Sequence, residues 1–101
     1  MPISKSFKRK WVKALRSGNY KQGEGFLQNR NAYCCLGVAC IVAGVPIPKS
    51  LDDRATFNYE PLRKATGLTY TDAGTLSHLN DDGHSFAEIA DYIEKHLGSR
   101  A

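Results

Sequence analysis

No aspartate or glutamate occurs before Glu24, although Lys5, Lys8, Arg9, Lys10, Lys13, Arg16 and Lys21 all fall in that stretch. Half of the chain's fourteen cationic residues therefore stand together without a counter-charge. Long apolar runs are missing as well: nothing approaches the roughly 18 consecutive apolar residues of a membrane-spanning helix. The opening "MPISKSFKRKW" is positively charged but lacks the apolar core and small-residue cleavage site of a secretory leader, so the expected location is the cytoplasm. Cysteine is scarce and odd in number, three residues without C-x-x-C spacing, which excludes a disulfide framework and a standard zinc site. The histidines do not repeat on one helix face, and "DDGH" lacks the oxygen ligands and terminal glutamate of a calcium loop. No metal or other cofactor is expected. There is no internal repeat and no low-complexity segment.

What is present is enough for one core. At 101 residues, with 42% hydrophobic and 24% charged residues, the chain has the size and composition of a single folded domain spanning 1–101. Phe7, Trp11 and Leu15 recur every four residues, which predicts a helix from Ser6 to Ser17, with Ser6 as N-cap and Gly18 as stop. The cations cover much of its remaining surface. From Asn19 to Asn31 the glycines and the polar "QNRN" predict a short β-hairpin or an ordered loop. "CCLGVACIVAG" predicts a central buried helix from Cys34 to Ala43, ended by Gly44 and the following "VPIP". Gly37 inside it costs about 1 kcal/mol of helix propensity against alanine, which implies the close approach of another backbone or of a ligand.

Further on, "EPLRKATG" reads as a short helix with proline in its first turn and Gly67 as terminator, "LTY" as a brief strand, and "TLSHL" as a helical turn before a tight "NDDG" turn. The last helix carries the clearest local signal. Ser85 and Glu88 form an S-x-x-E capping box, followed by a stripe of Phe86, Ile89, Ala90, Ile93 and Leu97. The expected fold is α+β: a small, mostly helical single domain with a two- or three-stranded β element around a central buried helix.

Three chemistries compete for the polar residues. A thiol in the first turn of a helix feels the positive end of the helix dipole, so Cys34 and Cys35 are candidate nucleophiles, with His84 or His78 as base, Asn80 or Asp81 as orienting group, and Gln22 or Gln28 as oxyanion donor. The apolar surroundings oppose that reading by raising thiol pKa values, and the default for all three cysteines is burial as small hydrophobes. A cysteine-dependent hydrolase is therefore kept only as an alternative, and no catalytic residue is assigned.

A second chemistry is ligand binding. "SGNYKQGEG" offers backbone N–H groups, a cation and a ring for stacking, without the lysine-serine pair of a P-loop or the strand-helix setting of a dinucleotide fingerprint. Arg16, Tyr20, Lys21, Gln22 and Gly23, facing Asn80, Asp81 and Ser85 at the start of the last helix, would suit a phosphate-bearing or nucleotide-like ligand. The acidic Asp81 and Asp82 oppose an anion there. Third, Lys8, Arg9 and Lys13 on the first helix would contact nucleic-acid phosphates without reading sequence, or an acidic host protein. "SFAEIADYI" has the look of the first helix of a helix-turn-helix, but no recognition helix follows it before Ala101. An apolar second helix in so small a chain also leaves room for a homo-oligomer.

The blocks W-x3-L-R-S-G-x-Y-x-Q-G from Trp11 to Gly23, Y-C-C-L-G-V from Tyr33 to Val38 and L-N-D-x-G-x-S-F-x-E-I-A-D-Y-I-E from Leu79 to Glu94 resemble a family of small uncharacterised proteins of tailed phages and their bacterial hosts. The resemblance implies a host-cytoplasmic accessory protein that acts by binding, such as sequestering a nucleotide signal in counter-defence or blocking a host protein.

Overall fold

The computed structural model describes residues 3–24, 27–29, 31–47 and 58–97, and among these the chain forms five helices and one small sheet. The fold class matches the sequence expectation: a mostly helical α+β domain built around a buried helix. Helix α1 runs Lys5–Arg16. Its N-cap is Ser4 rather than Ser6, two residues earlier than the periodicity suggested, the Ser4 hydroxyl accepting the Phe7 N–H at 3.4 Å. Ser4 is itself fixed by donating its N–H to the Thr66 carbonyl at 2.6 Å. Phe7, Trp11 and Leu15 are buried as predicted, and Val12 beside them is buried too.

The segment after α1 holds three two-residue strands: β1 (Lys21–Gln22), β2 (Gln28–Asn29) and β3 (Ala32–Tyr33). Of the hairpin or ordered loop expected over Asn19–Asn31, the hairpin is found, reaching two residues further: β2 and β3 are antiparallel, with Gln28 opposite Tyr33. β1 adds to the other edge of β3, parallel to it, giving the order β1-β3-β2. That parallel pairing joins segments ten residues apart and leaves no local sequence signal.

Helix α2 (Cys35–Ala43) follows β3 directly, and Cys35, Leu36, Gly37, Val38, Ala39 and Cys40 are all buried. It is the central helix of the core, apolar on every side for most of its length. Gly37 has the role its sequence context implied. A Cβ there would collide with the carbonyl oxygen of Leu27 and lie 2.9 Å from its carbonyl carbon, so the glycine admits another backbone. That same Leu27 carbonyl accepts the Cys34 N–H at 3.2 Å, locking the strand region onto the start of α2. Gly44 closes the helix in the left-handed conformation, with φ 73°.

Helix α3 (Glu60–Thr66) is the short proline-started helix expected from "EPLRKATG", ending at Gly67. Residues 48–57 before it lie outside the described residues. "LTY" is not a strand: Leu68 is buried, Thr69 caps helix α4 (Tyr70–Asp81) by accepting the Asp72 N–H at 3.1 Å, and Tyr70 is the first helical residue. The single turn expected at "TLSHL" is in fact the middle of this twelve-residue helix. Its buried stripe is Ala73, Leu76 and Asn80, and a buried asparagine in place of an apolar residue conceals the period.

Helix α5 (Phe86–His96) carries the predicted capping box in full. Ser85 Oγ accepts the Glu88 N–H at 3.2 Å, and Glu88 Oε1 accepts the Ser85 N–H at 2.9 Å. α1 packs most extensively on α5 and next on α2, so the basic first helix lies over the end of the chain. Trp11, fully buried, stacks on Phe7 with ring centroids 5.2 Å apart and donates its indole N–H to the Cys35 carbonyl at 3.0 Å. No described helix is long and apolar enough to cross a membrane.

Candidate functional site: a cationic groove on the first helix

The polar residues singled out in the sequence separate into two places. Gln22, Gly23, Asn80 and the Ser85 end of α5 meet, as the ligand reading required. Their hydrogen bonds, however, are spent on one another. Gln22 Nε2 donates to Asn80 Oδ1 at 3.0 Å and to the His84 carbonyl at 2.7 Å, and Gln22 Oε1 accepts the Phe86 N–H at 3.1 Å. Asn80, with no exposed surface, accepts the Cys35 N–H at 3.2 Å and donates Nδ2–H to the Gly23 carbonyl at 2.8 Å.

This network takes up two of the N–H donors at the α5 N-terminus. The first N–H groups of a helix attract anions because they have no partner within the helix. Here Phe86 N–H is satisfied by Gln22 and Glu88 N–H by Ser85. The shallow cleft beside it, about 390 Å³ and lined by Gln22, Gly23, Glu24, Gly83 and His84, brings one carboxylate and no lysine or arginine. Gly23 serves the fold as well: a Cβ there would stand 2.9 Å from the Ala32 side chain across the parallel β pair. Tyr20 is half-buried with its ring edge-on to Tyr33 at 5.7 Å, Lys21 is exposed on β1, and Asp81 is exposed at the end of α4.

The candidate nucleophiles are placed apart from solvent. Cys34, Cys35 and Cys40 have no exposed surface, and Cys35 Sγ donates to the Leu76 carbonyl at 3.4 Å. Burial of this kind keeps a thiol away from substrate. The ring of His84 faces Glu88, with Nδ1 3.9 Å from Oε1. Among the described residues no group of three or more His, Cys, Asp or Glu side chains is placed to hold a metal ion.

Arg16 lies elsewhere, on an open groove of about 710 Å³ along the outer face of α1. Residues 5, 8, 9, 12, 13 and 16 line it, an i, i+3, i+4, i+7, i+8, i+11 pattern that brings them to one side of the helix. Val12 forms part of the floor, Ser17 one end, and Glu94 of α5 the far rim. Five of the lining residues are cations, whereas the polar cleft has none.

Those five cations differ in what already holds them. Lys8 Nζ donates to the Leu97 carbonyl at 2.6 Å and to the Glu94 carbonyl at 3.4 Å, placing a positive charge on the negative end of the α5 dipole. Arg16 Nη2 donates to Asp91 Oδ1 at 2.6 Å, and its Nη1 pairs with Glu94 Oε1. Asp91 first, then Glu94, hold the guanidinium charged even more firmly than usual. Lys5, Arg9 and Lys13 are exposed and form an uninterrupted i, i+4, i+8 row. At 1.5 Å rise per residue the row spans about 12 Å, with charges about 6 Å apart.

Sequence reasoning named Lys8, Arg9 and Lys13 for nucleic acid. The geometry keeps Arg9 and Lys13 in the open row, gives Lys8 to the end of α5, and adds Lys5. It also brings in Asp91 and Glu94, acids from the far end of the sequence that no α1 pattern could reveal. The four-residue spacing of Lys5, Arg9 and Lys13 was the available signal.

Residues 3–44 match the profile of a domain of unknown function, DUF8296. The matched stretch takes in α1 with its cation row, the sheet and α2, and stops before α4 and α5. No curated protein and no solved structure matches the chain.

Proposed function

We propose that the protein is a non-enzymatic binding module that holds the phosphate backbone of nucleic acid in the α1 groove, without reading sequence. The observation that carries this is the row of Lys5, Arg9 and Lys13, exposed and regularly spaced on a helix face that contains no acid. Such a row meets a repeating polyanion charge for charge, and phosphate contacts fix position without carrying sequence information. An acidic protein surface is the weaker fit, because stable protein interfaces centre on an apolar core and this groove offers little beyond Val12 and aliphatic lysine and arginine stems. A nucleotide in the Gln22–Asn80 cluster is weaker again, since the donors there are already used within the fold. In the tailed-phage setting that the sequence blocks imply, the role is that of a small accessory factor acting on nucleic acid in the host cytoplasm.

With three open cations the affinity is modest, in the range of roughly 10⁻⁴ to 10⁻⁶ M for non-specific contacts at physiological salt. The experiment is fluorescence anisotropy with a short mixed-sequence DNA duplex at low salt. The wild-type protein binds, and Arg9→Glu weakens binding far more than Lys10→Glu, although the two neighbours make the same change in net charge. Equal effects of the two substitutions would mean that only bulk charge matters and would remove the groove from the account.

A further inference from the structure

Arg16 belongs to the cationic face of α1 yet is held by two carboxylates of another helix. Its side chain is 42% exposed, and those of Asp91 and Glu94 are 69% and 49% exposed, so the cluster sits in water at the groove's rim. Ion pairs this exposed add little to stability and are readily screened. Nor does the α1–α5 interface need them, because Phe7, Trp11 and Leu15 from α1 and Ile89 and Ile93 from α5 belong to one continuous buried core. An acid pair that the fold does not require therefore stands where it subtracts from the groove's positive potential.

We infer that Asp91 and Glu94 act as a built-in competitor for Arg16, confining bound phosphate to Lys5, Arg9 and Lys13 and holding the groove's affinity below what its cation content allows. This rests on the proposal that the groove binds a phosphate backbone. The two carboxylates occupy the guanidinium as phosphate oxygens would, and they repel any phosphate approaching the Ser17 end. Lys8 is not part of this competition, because its partners are backbone carbonyls that no side-chain substitution removes. The device also confers direction: phosphate density is accepted at the Lys5 end of α1 and rejected at the Arg16 end.

The test compares wild type, Asp91→Asn/Glu94→Gln, and that double variant with Arg16→Gln added, each titrated with the same duplex over a salt series. Freeing Arg16 adds one phosphate contact, so the double variant binds about ten-fold more tightly at low salt and its log–log salt slope steepens by about 0.9. Adding Arg16→Gln returns the slope to the wild-type value. Arg16→Gln alone leaves the slope unchanged, because that side chain is already engaged. Melting curves of all variants confirm that they fold alike.

If wild type binds but the double variant has the same affinity and slope, the competitor is overturned while the groove stands. Tighter binding with an unchanged slope would mean that only local repulsion was relieved, which overturns the role of Arg16. If wild type shows no binding at low salt, the groove reading fails and this inference fails with it.

Discussion

Asn80, at the end of one helix, caps the start of another: its Oδ1 accepts the Cys35 N–H at 3.2 Å across 45 residues of sequence. Helix α2 needs that partner, because its N-cap is Cys34, which makes no side-chain capping bond. The same amide accepts Gln22 and donates to Gly23, so one buried side chain ties the sheet, the central helix and the turn before α5 together. A residue that reads as a ligand donor in the sequence is a keystone of the fold.

Asn80→Ala is therefore expected to be among the costliest polar substitutions. It orphans the Cys35 N–H and the Gly23 carbonyl, and buried groups left unsatisfied cost about 1–3 kcal/mol each. Urea unfolding should show a loss of at least about 2 kcal/mol. Gln22→Ala should follow with about 1–3 kcal/mol while leaving duplex affinity unchanged. A fully stable Gln22→Ala variant that failed to bind would return the site to the polar cluster.

Much of the fold was legible because its signals are local. The Ser85–Glu88 capping box lies within four residues, and the Phe7–Trp11–Leu15 stripe needs only the helical repeat. Gly37 announced a close approach, though not that Leu27 makes it. The long α4 was missed because Asn80 stands in its buried stripe and its end resembles a loop. The parallel β1–β3 pairing depends on packing between segments with no shared local pattern. The site was legible only in part for a related reason. Composition shows that a polar group exists, but whether it is satisfied within the fold, as Gln22 and Lys8 are, or left to solvent, as Arg9 is, depends on residues far along the chain.

Gly37→Ala tests the backbone approach at the core. The added methyl drives against the Leu27 carbonyl, a backbone group that cannot rotate away, and overpacking of this kind costs about 1–3 kcal/mol, occasionally more. Thermal melting should show a clear loss, whereas Gly74→Ala, with open space around the new methyl on α4, should be neutral or stabilising. Equal effects at both positions would contradict the packing described here.

Glu60 supplies a pH marker. Its hydrogen bonds from Arg63, at 3.0 and 2.8 Å, hold the carboxyl below the ordinary glutamate range, and Arg63 is correspondingly raised. A folded pKa below the unfolded one means that the contribution to stability is present above the unfolded value of about 4.3 and is lost as pH falls through the folded value. Carbon-13 NMR titration should place Glu60 below the ordinary glutamate range, and Arg63→Gln should return it toward that range. The effect on stability is small because both partners are exposed.

Burial of the thiols makes a further check. Cys34, Cys35 and Cys40 should resist iodoacetamide in the folded protein and react on unfolding, with labelling tracking the melting curve. Rapid modification of one cysteine at neutral pH without unfolding would reopen the hydrolase reading.

The salt dependence of duplex binding, compared between wild type and Lys5→Gln/Arg9→Gln/Lys13→Gln, decides whether the α1 groove holds phosphate. Three phosphate contacts predict a log–log slope near −2.7, a loss of roughly 40-fold between about 50 and about 200 mM salt, and near-complete loss of binding in the triple variant. A wild-type slope near zero, or a triple variant that binds as wild type does, would contradict the account.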